Sequence, residues 1–219
     1  AIDYDDVTGV GPYSVYPRTS GIEANQVVNM TGAQYTCPNY RARTNVVFQN
    51  KTPMCQYRAV GHPILTALTE GLVDKAADAI GMDPVDIRRK NLLPDDSYPR
   101  KSPTGMLFEQ LSHQESLEKI VQMMDYEMLR KEQGKLRDQG VYRGIGIANF
   151  IEVTNPSAMF YGIGGAPISA QDGATIRLDA KGNIIVQTGV TEQGQGTEAV
   201  IAQVAATALG VTMDKIKVL

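Results

Sequence analysis

The run T-E-Q-G-Q-G-T-E-A-V, residues 191–200, decides how the second half of the chain is read. It follows the β-like N-I-I-V-Q-T-G-V and leads into A-V-I-A-Q-V-A-A-T-A-L-G, whose apolar content predicts a helix near 197–209. Gly194 and Gly196 permit left-handed backbone and close approach of a ligand to the main chain. The first amides of the following helix point outward with the positive end of its dipole. Gln195, held between the glycines, offers one acceptor and two donors, which suits the polar edge of a heterocycle. A tight strand-to-helix turn without any ligand uses the same residues, and both readings stay open at this level. Two nucleotide motifs are excluded. No G-K-[ST] follows, so this is not a P-loop, and Ala199 stands where the dinucleotide fingerprint needs its last glycine.

Working outward, A-T-I-R-L-D-A and N-I-I-V-Q-T-G-V read as two strands joined at Lys181-Gly182, where glycine suits a hairpin turn. The Gly-rich Y-G-I-G-G-A-P-I-S-A-Q-D-G, residues 161–173, reads as a loop, and V-Y-R-G-I-G-I-A-N-F-I-E-V, residues 141–153, as a buried strand. Before it, residues 114–140 predict one amphipathic helix closed by Gly140, with Leu117, Ile120, Val121, Met124 and Leu129 on one side. Residues 94–112 are polar, hold three prolines and one glycine, and read as a connector between two units.

In the first unit, Ile64, Leu65, Leu68, Leu72, Val73, Ala76, Ala77 and Ile80 fall at helical spacing up to Gly81. Asp83 followed by Pro84 is an N-cap and a first-turn proline, opening a short helix that ends by Pro94. Residues 1–56 carry no helical period and read as strands and ordered loops, Y-R-A-R-T-N-V-V-F-Q-N at 40–50 being the best strand. A final strand is expected near the carboxyl end. Without a regular β-α-β-α alternation the class is α+β.

Composition narrows the functional classes. The chain has 219 residues, 42% hydrophobic and 21% charged, with a net charge of −3 and no basic block, which argues against nucleic acid and anionic membrane as partners. No apolar run approaches the roughly 20 residues needed to span a bilayer, and a cytoplasmic protein is expected. Cys37 and Cys55 are the only cysteines and His62 and His113 the only histidines, so a cysteine zinc site or a histidine cluster is not expected. The chain opens in turn-like sequence and stops in D-K-I-K-V-L, which reads as a piece of something longer.

A second candidate site is M-C-Q-Y-R-A-V-G-H-P, residues 54–63, directly before the strongest helix. Arg58 is the kind of residue that grips an anion, with small or aromatic neighbours where a loop would line a cavity; a surface arginine before a helix is the alternative. His62 fits a capping or packed role better than that of a base. Cys55 has no base beside it in sequence, and Glu152 reads as a salt-bridged structural carboxylate.

Together, Y-R-A-V-G-H-P, I-R-R-K-N-L-L, R-G-I-G-I-A-N-F-I-E and T-G-V-T-E-Q-G-Q-G-T-E-A-V resemble, in this order, the molybdopterin-binding large subunit of the xanthine oxidase and aldehyde oxidoreductase family. The resemblance implies the end of one molybdopterin-binding unit at 1–93 and the start of the next at 113–219. It also implies oxidation or hydroxylation of aldehydes or electron-poor N-heterocycles at molybdenum, with iron-sulfur clusters and FAD in other domains or subunits. By the same resemblance Gly194, Gln195 and Gly196 hold the pterin, and the loop at Arg58 and Ala59 lies against the molybdenum. The resemblance also implies a substrate pocket bordered by Gln26 and by Val60, which stands where some relatives place a phenylalanine that stacks on the substrate. Gln26 stands where purine-oxidising members carry an arginine, and Ala59 where carbon monoxide dehydrogenases carry a copper-binding cysteine, which argues against both activities. The general-base glutamate is implied beyond Leu219, so this stretch alone is expected to be inactive. The partners implied are the rest of the same subunit, the electron-transfer subunits and a small-molecule substrate.

Overall fold

The computed structural model describes residues 1–11, 21–54, 58–153 and 173–219. The chain divides into two compact units, Ala1–Asn155 and Pro156–Leu219. The connector 94–112 lies within the first of these.

In the first unit β1 (Ile2–Val10) and β2 (Tyr40–Phe48) pair in parallel, from Ile2 opposite Tyr40 to Val10 opposite Phe48. Ion pairs Asp3–Arg41 and Asp5–Arg43 line one exposed face. Parallel neighbours need a crossover, and α1 (Ile22–Met30) provides it. This helix was not expected. Val27, Val28 and two asparagines weaken its intrinsic propensity, but Ile22, Ala24, Gln26, Val27 and Met30 are buried, and packing overrides propensity.

The two helices after Gly61 form as the sequence indicated: α2 (His62–Ala79) and α3 (Pro84–Asn91). Gly81 takes φ 64° after the end of α2, and the Asp83 carboxylate accepts from Val85 N at 2.8 Å. In the connector, β3 (Arg100–Lys101) pairs with β4 (Leu107–Phe108), and Asp95 accepts from the Gln114 and Glu115 amides to cap the next helix. The single helix expected over 114–140 is two, α4 (His113–Met123) and α5 (Tyr126–Asp138). Asp125 breaks them at φ 47°, turning α5 so that the Tyr126 hydroxyl donates to the Asp83 carboxylate and Arg130 pairs with it at 3.3 Å.

Residues 141–153 are not a ladder strand either. Ile145, Ile147, Asn149 and Ile151 turn inward while their neighbours stay exposed, a strand-like alternation. The segment's carbonyls, however, go to side chains: Ile147 O accepts from Arg88 Nη2 at 2.9 Å and Asn149 O from Gln34 Nε2 at 2.8 Å. Arg88 is fully buried and also pairs with Glu70 and Asp74, tying α2, α3 and this segment together. Two apolar clusters surround that knot, one of Val27, Met30, Ala33, Leu65, Phe108 and Ile151, the other of Tyr35, Val85, Leu92, Leu117 and Tyr126.

In the second unit β5 (Ala174–Leu178) and β6 (Ile184–Thr188) form the expected hairpin, whose turn is held by Asp179 accepting from the Lys181 and Asn183 amides. The chain then rises through α6 (Thr197–Leu209) and returns as β7 (Ile216–Val218), parallel to β6. Ala205 and Ile201 of α6 cover Ile184, Val186 and Ile216. The architecture is α+β. The Gly-rich loop read at 161–173 falls, up to residue 172, outside the described residues, as does Cys55.

Candidate cofactor-binding site

The candidate residues fall in both units, and each part stands by itself. In the first unit the turn Arg58–Gly61 enters α2 with three successive left-handed residues: Ala59 at φ 73°, Val60 at φ 36° and Gly61 at φ 83°. Only glycine adopts this region freely, and a β-branched residue there is an outlier of the sort that gathers at ligand sites. Gly61 is required for a second reason. A Cβ there would lie 2.6 Å from the Glu23 carbonyl oxygen and 3.3 Å from Gln26 Cβ, so the turn is pressed against α1. The fold thereby brings Gln26, buried on α1, beside Gly61 at the end of this turn, while Arg58 is exposed.

The turn is fastened from behind. The Ala59 carbonyl accepts from His62 N at 2.9 Å and from the His62 imidazole Nδ1 at 2.5 Å. His62 is 4% exposed, with Glu152 Oε1 3.8 Å from Nδ1, and its Nε2 has no hydrogen-bond partner among the described residues. His62 is thus a packed histidine.

In the second unit Gly194 and Gly196 take φ 88° and 83°, as the motif required, and a Cβ on Gly196 would meet nothing within 4 Å. That bare stretch of main chain fits a flat ligand lying against it. The side chains around it were not legible beforehand. Glu192 Oε1 accepts from the Gly194 and Gly196 amides at 2.7 and 3.0 Å, and Oε2 reaches the Glu198 amide at 3.4 Å. The Gly196 amide, more than any other group, holds the Glu192 carboxyl below its usual range. An incoming anion would have to displace this carboxylate; a neutral polar edge would not. Gln195 is folded into the same loop. Its Nε2 donates to Thr191 O at 3.0 Å and Thr197 Oγ1 at 2.5 Å, and its Oε1 accepts from Gln193 N at 2.5 Å. Both donors are spent, leaving one oxygen lone pair for a ligand. The signal for this was the acid two residues before the first glycine.

Among the described residues no group of three His, Cys, Asp or Glu side chains is placed to hold a metal ion, and no helix is long and apolar enough to cross a membrane.

The left-handed turn ahead of α2, and separately the bare glycine loop ahead of α6, each leave main chain open to a flat, polar ligand. Two models described as molybdopterin cofactor-binding domains match residues 1–92 and 119–219, and the chain belongs to this family of cofactor-binding domains from molybdenum hydroxylase large subunits. It is 32% identical over 210 residues to the nicotine 6-hydroxylase large subunit of Paenarthrobacter nicotinovorans, covering 95% of this chain and 25% of that protein. Against the carbon monoxide dehydrogenase large chain of Hydrogenophaga pseudoflava the identity is 28% over 200 residues, 87% of this chain and 24% of that one. Among solved structures, quinoline 2-oxidoreductase from Pseudomonas putida 86 superposes with a TM-score of 0.83 at 29% identity, over 99% of this chain and 28% of that one. The chain thus spans about a quarter of the length of these relatives, and its cofactor is molybdopterin.

Proposed function

We propose that this chain forms part of the cofactor-holding wall of a molybdenum hydroxylase whose complete protein oxidises or hydroxylates an N-heterocycle or an aldehyde. The observation that carries the proposal is the Arg58–Gly61 turn, where Ala59 and Val60 sit in costly backbone conformations and Gly61 is pressed against α1. Strain of this kind persists where the surroundings impose it, and it is concentrated at ligand clamps. The bound cofactor supplies the oxygen-transfer and electron-accepting chemistry. This chain's residues would bind and orient it, the main chain at Arg58 and Ala59 holding the molybdenum end and Gly194, Gln195 and Gly196 the pterin. Gln26 and Val60 border the substrate. Relatives named for nicotine and quinoline support testing N-heterocycles first.

In the complete protein a glutamate elsewhere in the subunit would act as general base, and iron-sulfur clusters and FAD in other domains or subunits would supply electron transfer. The two cofactor-binding units meet in sequence at 94–112. Metal analysis of the purified full-length protein, with dye-linked assays on both substrate classes, tests the reading; a folded, cofactor-supplied preparation without molybdenum would sink it.

A second reading is favoured by one observation, the internal satisfaction of Glu192 and Gln195. On it the glycine loop is only a turn, in a non-catalytic domain of the same fold that assembles with partner chains. Gln195→Ala separates the two: pterin retention falls on the first reading and is unchanged on the second.

A further inference from the structure

We infer that His62 and Glu152 are positioning residues that set the Ala59–Val60 peptide for contact with the cofactor, an inference that rests on the reading above. In a trans peptide the carbonyl and the next N–H point in opposite directions. The Ala59 carbonyl is drawn toward the start of α2 by two donors of one residue, His62 N and Nδ1. The Val60 N–H therefore points the other way, out of the turn. Rotation of that peptide plane would change ψ of Ala59 and φ of Val60 together, and would release Val60 from its unfavourable φ of 36°. Left to itself the peptide would flip; the bonds from His62 oppose this.

The imidazole is committed to that task. A carbonyl oxygen only accepts, so Nδ1 carries the proton, and the Glu152 carboxylate 3.8 Å away favours it there. The other ring nitrogen is buried, so His62 does not reach a substrate as an acid or base. Glu152 comes from the R-G-I-G-I-A-N-F-I-E segment, and this contact joins that segment to the Y-R-A-V-G-H-P motif.

The test uses the full-length, cofactor-loaded protein and its His62→Leu, His62→Asn and Glu152→Gln variants. Asparagine places an amide N–H where Nδ1–H stands, whereas leucine removes the donor. Readouts are molybdenum and pterin per chain, the electron paramagnetic resonance spectrum of Mo(V), and kcat and KM measured separately. His62→Leu is expected to lose about 10- to 100-fold in cofactor retention or kcat and to change the Mo(V) spectrum. His62→Asn restores both, and Glu152→Gln falls between. A folded His62→Leu protein with wild-type spectrum and kcat overturns the inference while leaving the proposed function intact. Should His62→Leu fail to fold, a folded His62→Asn protein decides: a wild-type spectrum supports the inference and a disturbed one overturns it. Wild-type protein without molybdenum sinks both.

Discussion

Gly61 and Gly196 share a left-handed backbone but not a neighbourhood, and the same substitution should separate them. Gly61→Ala meets the cost of positive φ and also drives a Cβ into the Glu23 carbonyl, a backbone atom that can yield only by moving α1. A loss of about 2–4 kcal/mol is expected. Gly196→Ala meets open space, so only the conformational cost of about 1–2 kcal/mol applies. Urea unfolding of both variants checks this, and equal losses would contradict the packing of the Arg58 turn on α1. Both glycines stand out in the sequence, but nothing local says which is pressed against a neighbour. That information lies in Glu23 and Gln26, more than 30 residues upstream of Gly61.

At the scale of elements, a cap often decides more than the helix it opens. Asp83 caps α3 through Val85 N and also accepts the Tyr126 hydroxyl from α5, with burial and then this carboxylate pushing the phenol up to about 12. Asp83→Ala should cost about 1–3 kcal/mol in thermal or urea unfolding. It should also lower the Tyr126 titration part of the way toward 10 and no further, since burial is the larger cause. Glu192 plays the corresponding part for α6. Its carboxyl is depressed below 4.5 in the fold, so its support of the glycine loop is present above that value and lost as pH falls through the folded one. Amide signals of Gly194 and Gly196 should therefore shift as pH is lowered from above 4.5 through the folded value, and stay still in Glu192→Gln. A wild-type loop indifferent to this range would show that Glu192 does not hold it. The sequence disclosed α2, α3, the β5–β6 hairpin and α6, whose apolar spacing or turn residues are local. It concealed α1, formed by burial against its propensity, the break at Asp125, set by contacts with α3, and the character of 141–153, whose partners are side chains. The glycine loop was legible in its backbone but not in its Glu192 cap, which shows only once the chain has turned.

For the whole molecule, the boundaries of the family and those of packing do not coincide. The second family match begins at residue 119, yet the first compact unit runs to Asn155. Residues 1–112 alone would lack Leu117, Tyr126 and Ile151 from the two clusters, and the Ile147 and Asn149 carbonyls that accept from Arg88 and Gln34. A buried arginine stripped of an acceptor is costly. Residues 1–112 should then show weak near-ultraviolet dichroism and rapid amide exchange, and residues 1–155 a cooperative unfolding transition; a cooperative 1–112 would refute this.

The Arg88 knot also bears on how such chains are recombined. A chimera of two relatives joined between residues 93 and 118 pairs the α2 and α3 of one parent with the 145–151 segment of the other. Every donor and acceptor around Arg88 must then be compatible across parents that never shared a core. A crossover beyond Asn155 leaves all of those partners with a single parent, and libraries joined there should yield the larger share of folded proteins.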